Sequence, residues 1–106
     1  MTLELRWTEH AANQLTAIAD YISLASPVYA EQTVERIVAR LRQAQEFPES
    51  GRTVPEAGAL ELREMLELPY RVIYRVTRSA IEVIAIVHAR QQLAPQLPGE
   101  HRGPAV

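Results

Sequence analysis

Four arginines and a histidine stand out in the C-terminal half of this 106-residue chain: Arg63, Arg71, Arg75, His88 and Arg90, with Tyr70 and Tyr74 interleaved. A guanidinium offers paired N–H donors to phosphate or carboxylate, and an imidazole moves protons near neutral pH. Period-2 alternation places Arg71 and Arg75 on one face of a strand, and His88 and Arg90 share parity at the end of the next. Two readings follow. One is a cationic sheet face that grips a partner or a phosphate. The other is an ordinary solvent-facing surface, with Glu82 pairing to the arginines across a hairpin. His88 is likewise either a proton carrier or an end-of-strand residue bonded to backbone, and Tyr70, Tyr74 and Trp7 also suit core or edge packing.

Other chemistries find no support in the sequence. His10, His88 and His101 are too scattered for a metal site, and no metal or cofactor is expected. There is no G-x-G-x-x-G, P-loop, G-x-S-x-G or H-E-x-x-H motif. Glu61, Glu64 and Glu67 read as solvated edge charges, because on a strand Glu64 points away from the other two. The net charge is -2 and every basic residue is an arginine. Residues 1–49 hold four arginines against seven acids, whereas 50–90 hold six against five, so only the C-terminal half can offer a basic face. That balance argues against a general nucleic-acid binder, and no sequence-specific nucleic-acid contact is expected. The absence of cysteine fits a reducing compartment. No signal-like start precedes Trp7 and the longest apolar run, Val83–Val87, is too short for a bilayer, so a cytoplasmic protein without a membrane partner is expected.

The elements that position these residues can be read from periodicity. Leu3, Leu5 and Trp7 alternate with Glu4 and Arg6 as a strand does. Thr8 suits a helix N-cap, with Glu9 in the first turn, and Leu15, Ile18, Ala19 and Ile22 form one face of a helix over about 9–24. Ser26-Pro27 marks a tight joint into a second helix with the stripe Ala30, Val34, Ile37, Leu41 and Ala44. Phe47 to Gly58 reads as an exposed loop. Leu60, Leu62, Leu66 and Leu68 alternate with charged residues and predict a strand bounded by Gly58 and Pro69. Tyr70–Val76 and Ile81–His88 then form a hairpin around Thr77-Arg78-Ser79. On period-2 alternation the face with Tyr70, Val72, Tyr74 and Val76 packs on the helices, so Arg71 and Arg75 look outward. The expected fold is α+β, strand-helix-helix-strand-strand-strand, a two-helix hairpin on an antiparallel sheet. It occupies a single domain over residues 1–93, and the Pro/Gly-rich residues 94–106 read as a flexible tail.

The order of elements and several short motifs together resemble the RelE/ParE superfamily of bacterial toxins, and within it the ParE branch. The matching stretches are Trp7-Thr8-Glu9-His10-Ala11, Ile18-Ala19-Asp20-Tyr21-Ile22, Ser26-Pro27 and Phe47-Pro48-Glu49-Ser50-Gly51-Arg52. Leu62-Arg63-Glu64, Pro69 to Val76 and Val87-His88-Ala89-Arg90 follow in the same order. This resemblance implies the toxin of a type II toxin-antitoxin pair, forming a hetero-oligomer with a cognate ParD-like antitoxin, often ribbon-helix-helix, whose flexible segment lies along helices and sheet. ParE-like toxins inhibit DNA gyrase without catalysis, and Arg63, Arg71, Arg75 and Arg90 would then be partner-binding residues. A RelE-like ribosome-dependent messenger endoribonuclease is the alternative. It needs a base for the 2'-hydroxyl, an acid for the leaving oxygen and cations for the phosphate, and Arg63, His88, Arg90 and Tyr70 are the candidates for those roles.

Overall fold

In a computed structural model, which describes residues 2–55, 57 and 61–90, the chain runs β1 (Glu4–Trp7), α1 (Glu9–Ser23), α2 (Pro27–Glu46), β2 (Arg52–Thr53), β3 (Arg63–Glu67), β4 (Tyr70–Val76) and β5 (Ala80–His88). Leu60 and the expected tail at 94–106 lie outside the described residues. Both helices start where capping chemistry permits. The Thr8 hydroxyl accepts the Ala11 N–H at 3.1 Å and donates to the Val83 carbonyl at 2.8 Å, so it caps α1 and ties it to the sheet. The Ser26 hydroxyl accepts the Tyr29 N–H at 3.1 Å, with Pro27 opening α2.

The five strands form one mixed sheet in the order β1-β5-β4-β3-β2. Three pairings are antiparallel, as expected, but β1 lies parallel to β5, with Glu4 opposite Ala80 and Trp7 opposite Val83. The wholly antiparallel expectation is corrected at that edge. Strands β1 and β2 sit at opposite edges, and the helix pair carries the chain from one to the other.

One face of the sheet packs on the helices. Ala11, Ile37, Leu41, Val72, Val83 and Ile86 form the central cluster, with Leu5, Trp7, Leu15 and Ile18 around it, and Ala44, Met65, Tyr74 and Ile81 continue it. Ile37 and Leu41 are wholly buried, each contributing about 1.5–3 kcal/mol. The opposite face is covered as well. Val54, Ala57 and Leu62 close over Ile73, Ala85 and Val87. The stretch read as an exposed loop therefore forms β2 and a lid over the second face, with Gly51 itself buried.

A bulge reconciles β5 with both layers. Ile73 pairs with Ala85 but Tyr74 pairs with Val83, so Ile84 is the extra residue. The single face Ile81, Val83, Ala85, Val87 expected from simple alternation is thereby split. Ile81, Val83 and Ile86 meet the helices, and Ala85 and Val87 meet the lid.

Candidate functional site

Strand β3 organises most of the polar residues. Glu64 sits on its lid-side face with a fully buried side chain, and Arg71 of β4 donates to it from Nε at 2.5 Å with only a tenth of its own side chain exposed. Arg52 of β2 donates to the other carboxylate oxygen of Glu64 from the solvent side. Two expectations are corrected here. Glu64 is not a solvated edge charge, and Arg71 is not an outward-facing residue, because the lid gives the second face of the sheet an interior of its own. A buried carboxylate needs a counter-ion, and Arg71 fills that need.

Arg75 does lie at the surface, four residues further along β4, where it donates to Glu82 at 2.6 Å across the hairpin. Arg63 turns toward the loop before β2, donating to the Gly51 carbonyl at 2.7 Å. Tyr74 completes that anchor: its hydroxyl donates to the Pro48 carbonyl at 2.8 Å and accepts the Gly51 N–H at 2.9 Å. Position 51 must be glycine for this approach, since a Cβ there would stand 2.5 Å from the Tyr74 hydroxyl. Burial pushes the Tyr74 phenol above its ordinary range, while the Gly51 N–H, Arg63 and Ser50 pull it back. The F-P-x-x-G-R stretch is thus a turn pinned by Arg63 and Tyr74.

At the other end of the sheet, His88 faces Tyr70 edge-on with ring centroids 6.0 Å apart, and its Nδ1 accepts the Arg90 N–H at 3.1 Å. Tyr70 is pushed up by burial first and by neighbouring Tyr29 and Tyr21 after it. Arg63 pairs with Tyr74, and Tyr70 with His88. Four residues of β4 thus separate Arg63 from His88, about 13 Å along the strand. Arg63 therefore does not meet His88, Tyr70 and Arg90 around one phosphate. Among the described residues no three His, Asp or Glu side chains come together in a way that could hold a metal ion, and no helix is long and apolar enough to cross a membrane.

The sequence pattern did not single out an apolar surface at the joint of the helices. Tyr21, Leu24, Val28 and Tyr29 are exposed by 76, 84, 64 and 48 %, and the Arg36 guanidinium lies 5.6 Å from the centre of the Tyr29 ring. These four large apolar residues lie within nine positions and off both core stripes, which is a signal available from the sequence. Nearby, Glu67 of β3 is shared by Arg36 and Arg40 of α2 at 3.3 Å each.

Comparison with known proteins agrees with this architecture. The sequence matches the ParE toxin family of the type II toxin-antitoxin system parDE over residues 5–93. A Sinorhizobium fredii protein bearing the toxin name Y4kP is 34% identical over 88 residues, covering 83% of this chain and 90% of the relative. Toxin RelE2 of Caulobacter vibrioides is 34% identical over 84 residues, covering 78% and 91%. A chain of the chromosomal ParDE TA system from P. aeruginosa superposes with a TM-score of 0.67 at 30% identity, covering 82% of this chain and 96% of that one. With the same helix pair on the same sheet and a match that runs from β1 past β5, this chain belongs to the ParE toxin family of type II toxin-antitoxin systems.

Proposed function

We propose that the chain is a cytoplasmic, non-catalytic inhibitor of DNA gyrase, held inactive by direct binding of a ParD-like antitoxin. The observation that carries the non-catalytic reading is the dispersal of the candidate catalytic set. Arg63 is committed to the Gly51 carbonyl, and His88 stands about 13 Å along the sheet, bonded to backbone. General acid-base cleavage requires both groups within hydrogen-bond reach of one phosphodiester. The exposed apolar joint of Tyr21, Leu24, Val28 and Tyr29 supports a protein partner. Partner contact through arginines falls to Arg75 and Arg90, which are at the surface, while Arg63 and Arg71 serve chiefly to hold the scaffold.

The name of the Caulobacter relative favours the alternative of messenger cleavage, and one experiment separates the two. The chain is expressed under tight control, arrested cells are scored for an SOS response and for messenger integrity, and the purified protein is added to gyrase supercoiling reactions. The expected result is DNA damage signalling and loss of supercoiling, with messengers intact. Ribosome-dependent cuts in messenger RNA that vanish in Arg63→Ala or His88→Ala, with gyrase unaffected, would overturn the proposal.

A further inference from the structure

The helix layer stops short of one end of the sheet. Helix α2 ends at Glu46, with Phe47 as its C-cap, whereas β4 runs on to Val76, two residues past Tyr74 on the face that packs against α2. The uncovered corner is a hollow of about 830 Å³, lined by the buried Val54 and Leu62 and by Phe47 and Val76. Phe47 is 61 % exposed and Val76 37 %. A cleft of roughly 300–1,000 Å³ is large enough to bury several side chains of a partner.

The rim of this hollow is negative. Glu46, Glu49 and Glu61 border it, and all three are exposed. Among the described residues no arginine or histidine pairs with any of them. The C-terminal end of α2 adds the negative pole of its macrodipole, with no basic residue in the last turn to offset it. Arg63 is the one guanidinium among the described lining residues, and it is turned to the carbonyls of Gly51 and, at 3.5 Å, Glu49. Three carboxylates against one committed cation repel phosphate and acidic chains and attract a positive charge. The open Phe47 ring suits the same ligand, since a guanidinium or ammonium group is drawn to an aromatic face.

We propose that this corner is a docking site for a basic segment of a partner protein. An arginine or lysine of that segment lies on Phe47, within reach of Glu46, Glu49 and Glu61, and a neighbouring apolar side chain covers Leu62 and Val76. Arginine fits better than lysine, because a planar guanidinium both stacks on the ring and offers a carboxylate paired N–H donors. The site lies about 25 Å along α2 from Tyr29 and the apolar joint of the helices, and the inference does not depend on which target the chain inhibits.

A synthetic peptide of alternating leucine and arginine, titrated into the full chain and followed by amide NMR, tests the site against a leucine-glutamate peptide and a single-stranded uridine oligonucleotide. Shifts at the Phe47, Glu61 and Val76 amides are expected, with binding at least about tenfold tighter than that of either comparison ligand. Glu49→Gln combined with Glu61→Gln, and separately Phe47→Ala, should each weaken binding about tenfold with little change in melting temperature, because all three side chains are exposed. Glu31→Gln combined with Glu35→Gln removes as much charge from the exposed surface of α2 away from the hollow and should leave affinity within about twofold. Four results would each overturn the proposal: no shift at the hollow with millimolar peptide, equal binding of the glutamate peptide or the oligonucleotide, an equal loss of affinity in the Glu31 and Glu35 double variant, or self-association of the chain through Phe47 without peptide.

Discussion

Arg71 and Arg75 lie four residues apart on one strand, yet their substitution should have very different consequences. The Arg75–Glu82 pair is half in solvent, with side chains 51 and 29 % exposed, and such pairs are worth about 0.2–1 kcal/mol. The Arg71–Glu64 pair is 10 and 0 % exposed. Removing one member of a buried pair costs about 3–5 kcal/mol because the other charge is stranded. Arg52 stays on Glu64 from the solvent side, so for Arg71→Met the loss should be nearer that of a charged hydrogen bond plus residual desolvation, roughly 2–3 kcal/mol. With a urea slope of about 1–3 kcal/mol per molar for a domain of this size, the midpoint should fall by about 1–2 M. Arg75→Met should move it by about 0.5 M or less. Glu64→Leu combined with Arg71→Met should recover much of the loss, since replacing both members of a buried pair by apolar groups is often neutral. Equal midpoints for the two arginine variants, or a double variant as unstable as the sum of the single ones, would refute the assignment of Arg71 to the interior.

Tyr74→Phe leaves the Pro48 carbonyl and the Gly51 N–H without their partner and should lower the melting temperature by roughly 5–15 °C. Because burial raises the Tyr74 phenol, its neutral form favours the fold. That contribution is complete below the unfolded value near 10 and is lost as pH rises through the higher folded value, so Tyr74→Phe should flatten the alkaline limb of a stability-pH curve. Gly51→Ala should destabilise at least as much by calorimetry, and its cost should be less than additive with that of Tyr74→Phe, because the added methyl meets the Tyr74 hydroxyl first. Thr8→Ala should cost about 1–2 kcal/mol in urea unfolding, and Thr8→Ser should restore most of it, since either hydroxyl can accept the Ala11 N–H and donate to Val83.

The elements with a strong local signal were legible in the sequence. Thr8 and Ser26-Pro27 begin the helices, the stripe through Ile37 and Leu41 is buried, and the β4–β5 hairpin turns where Thr77-Arg78-Ser79 places it. What escaped was set by contacts distant in the chain. Alternation in β3 points to a leucine face, but Met65 packs under α2 while Leu66 and Leu68 are exposed, because the lid reaches Leu62 and stops short of the far end of the strand. The bulge at Ile84 cannot be seen in a run of apolar residues that suits either face. Period 2 correctly put Arg71 opposite Tyr70 and Val72. It could not show that the opposite face is covered by Val54, Ala57 and Leu62, which is what turns two surface charges into a buried pair.

The parallel pairing of β1 with β5 has a temporal side. Among the described residues, 4–7 find their sheet neighbour at 80–83, so β1 must wait for the synthesis of β5 before it can be hydrogen-bonded into the sheet. Such long-range closure is slow relative to helix formation. The exposed surface of Tyr21, Leu24, Val28 and Tyr29 is built from the helix pair and its joint alone, so presenting it does not require β5. A protein that captures that hairpin during synthesis meets the chain before its fold is complete, whereas one that reads only the finished sheet must arrive afterwards.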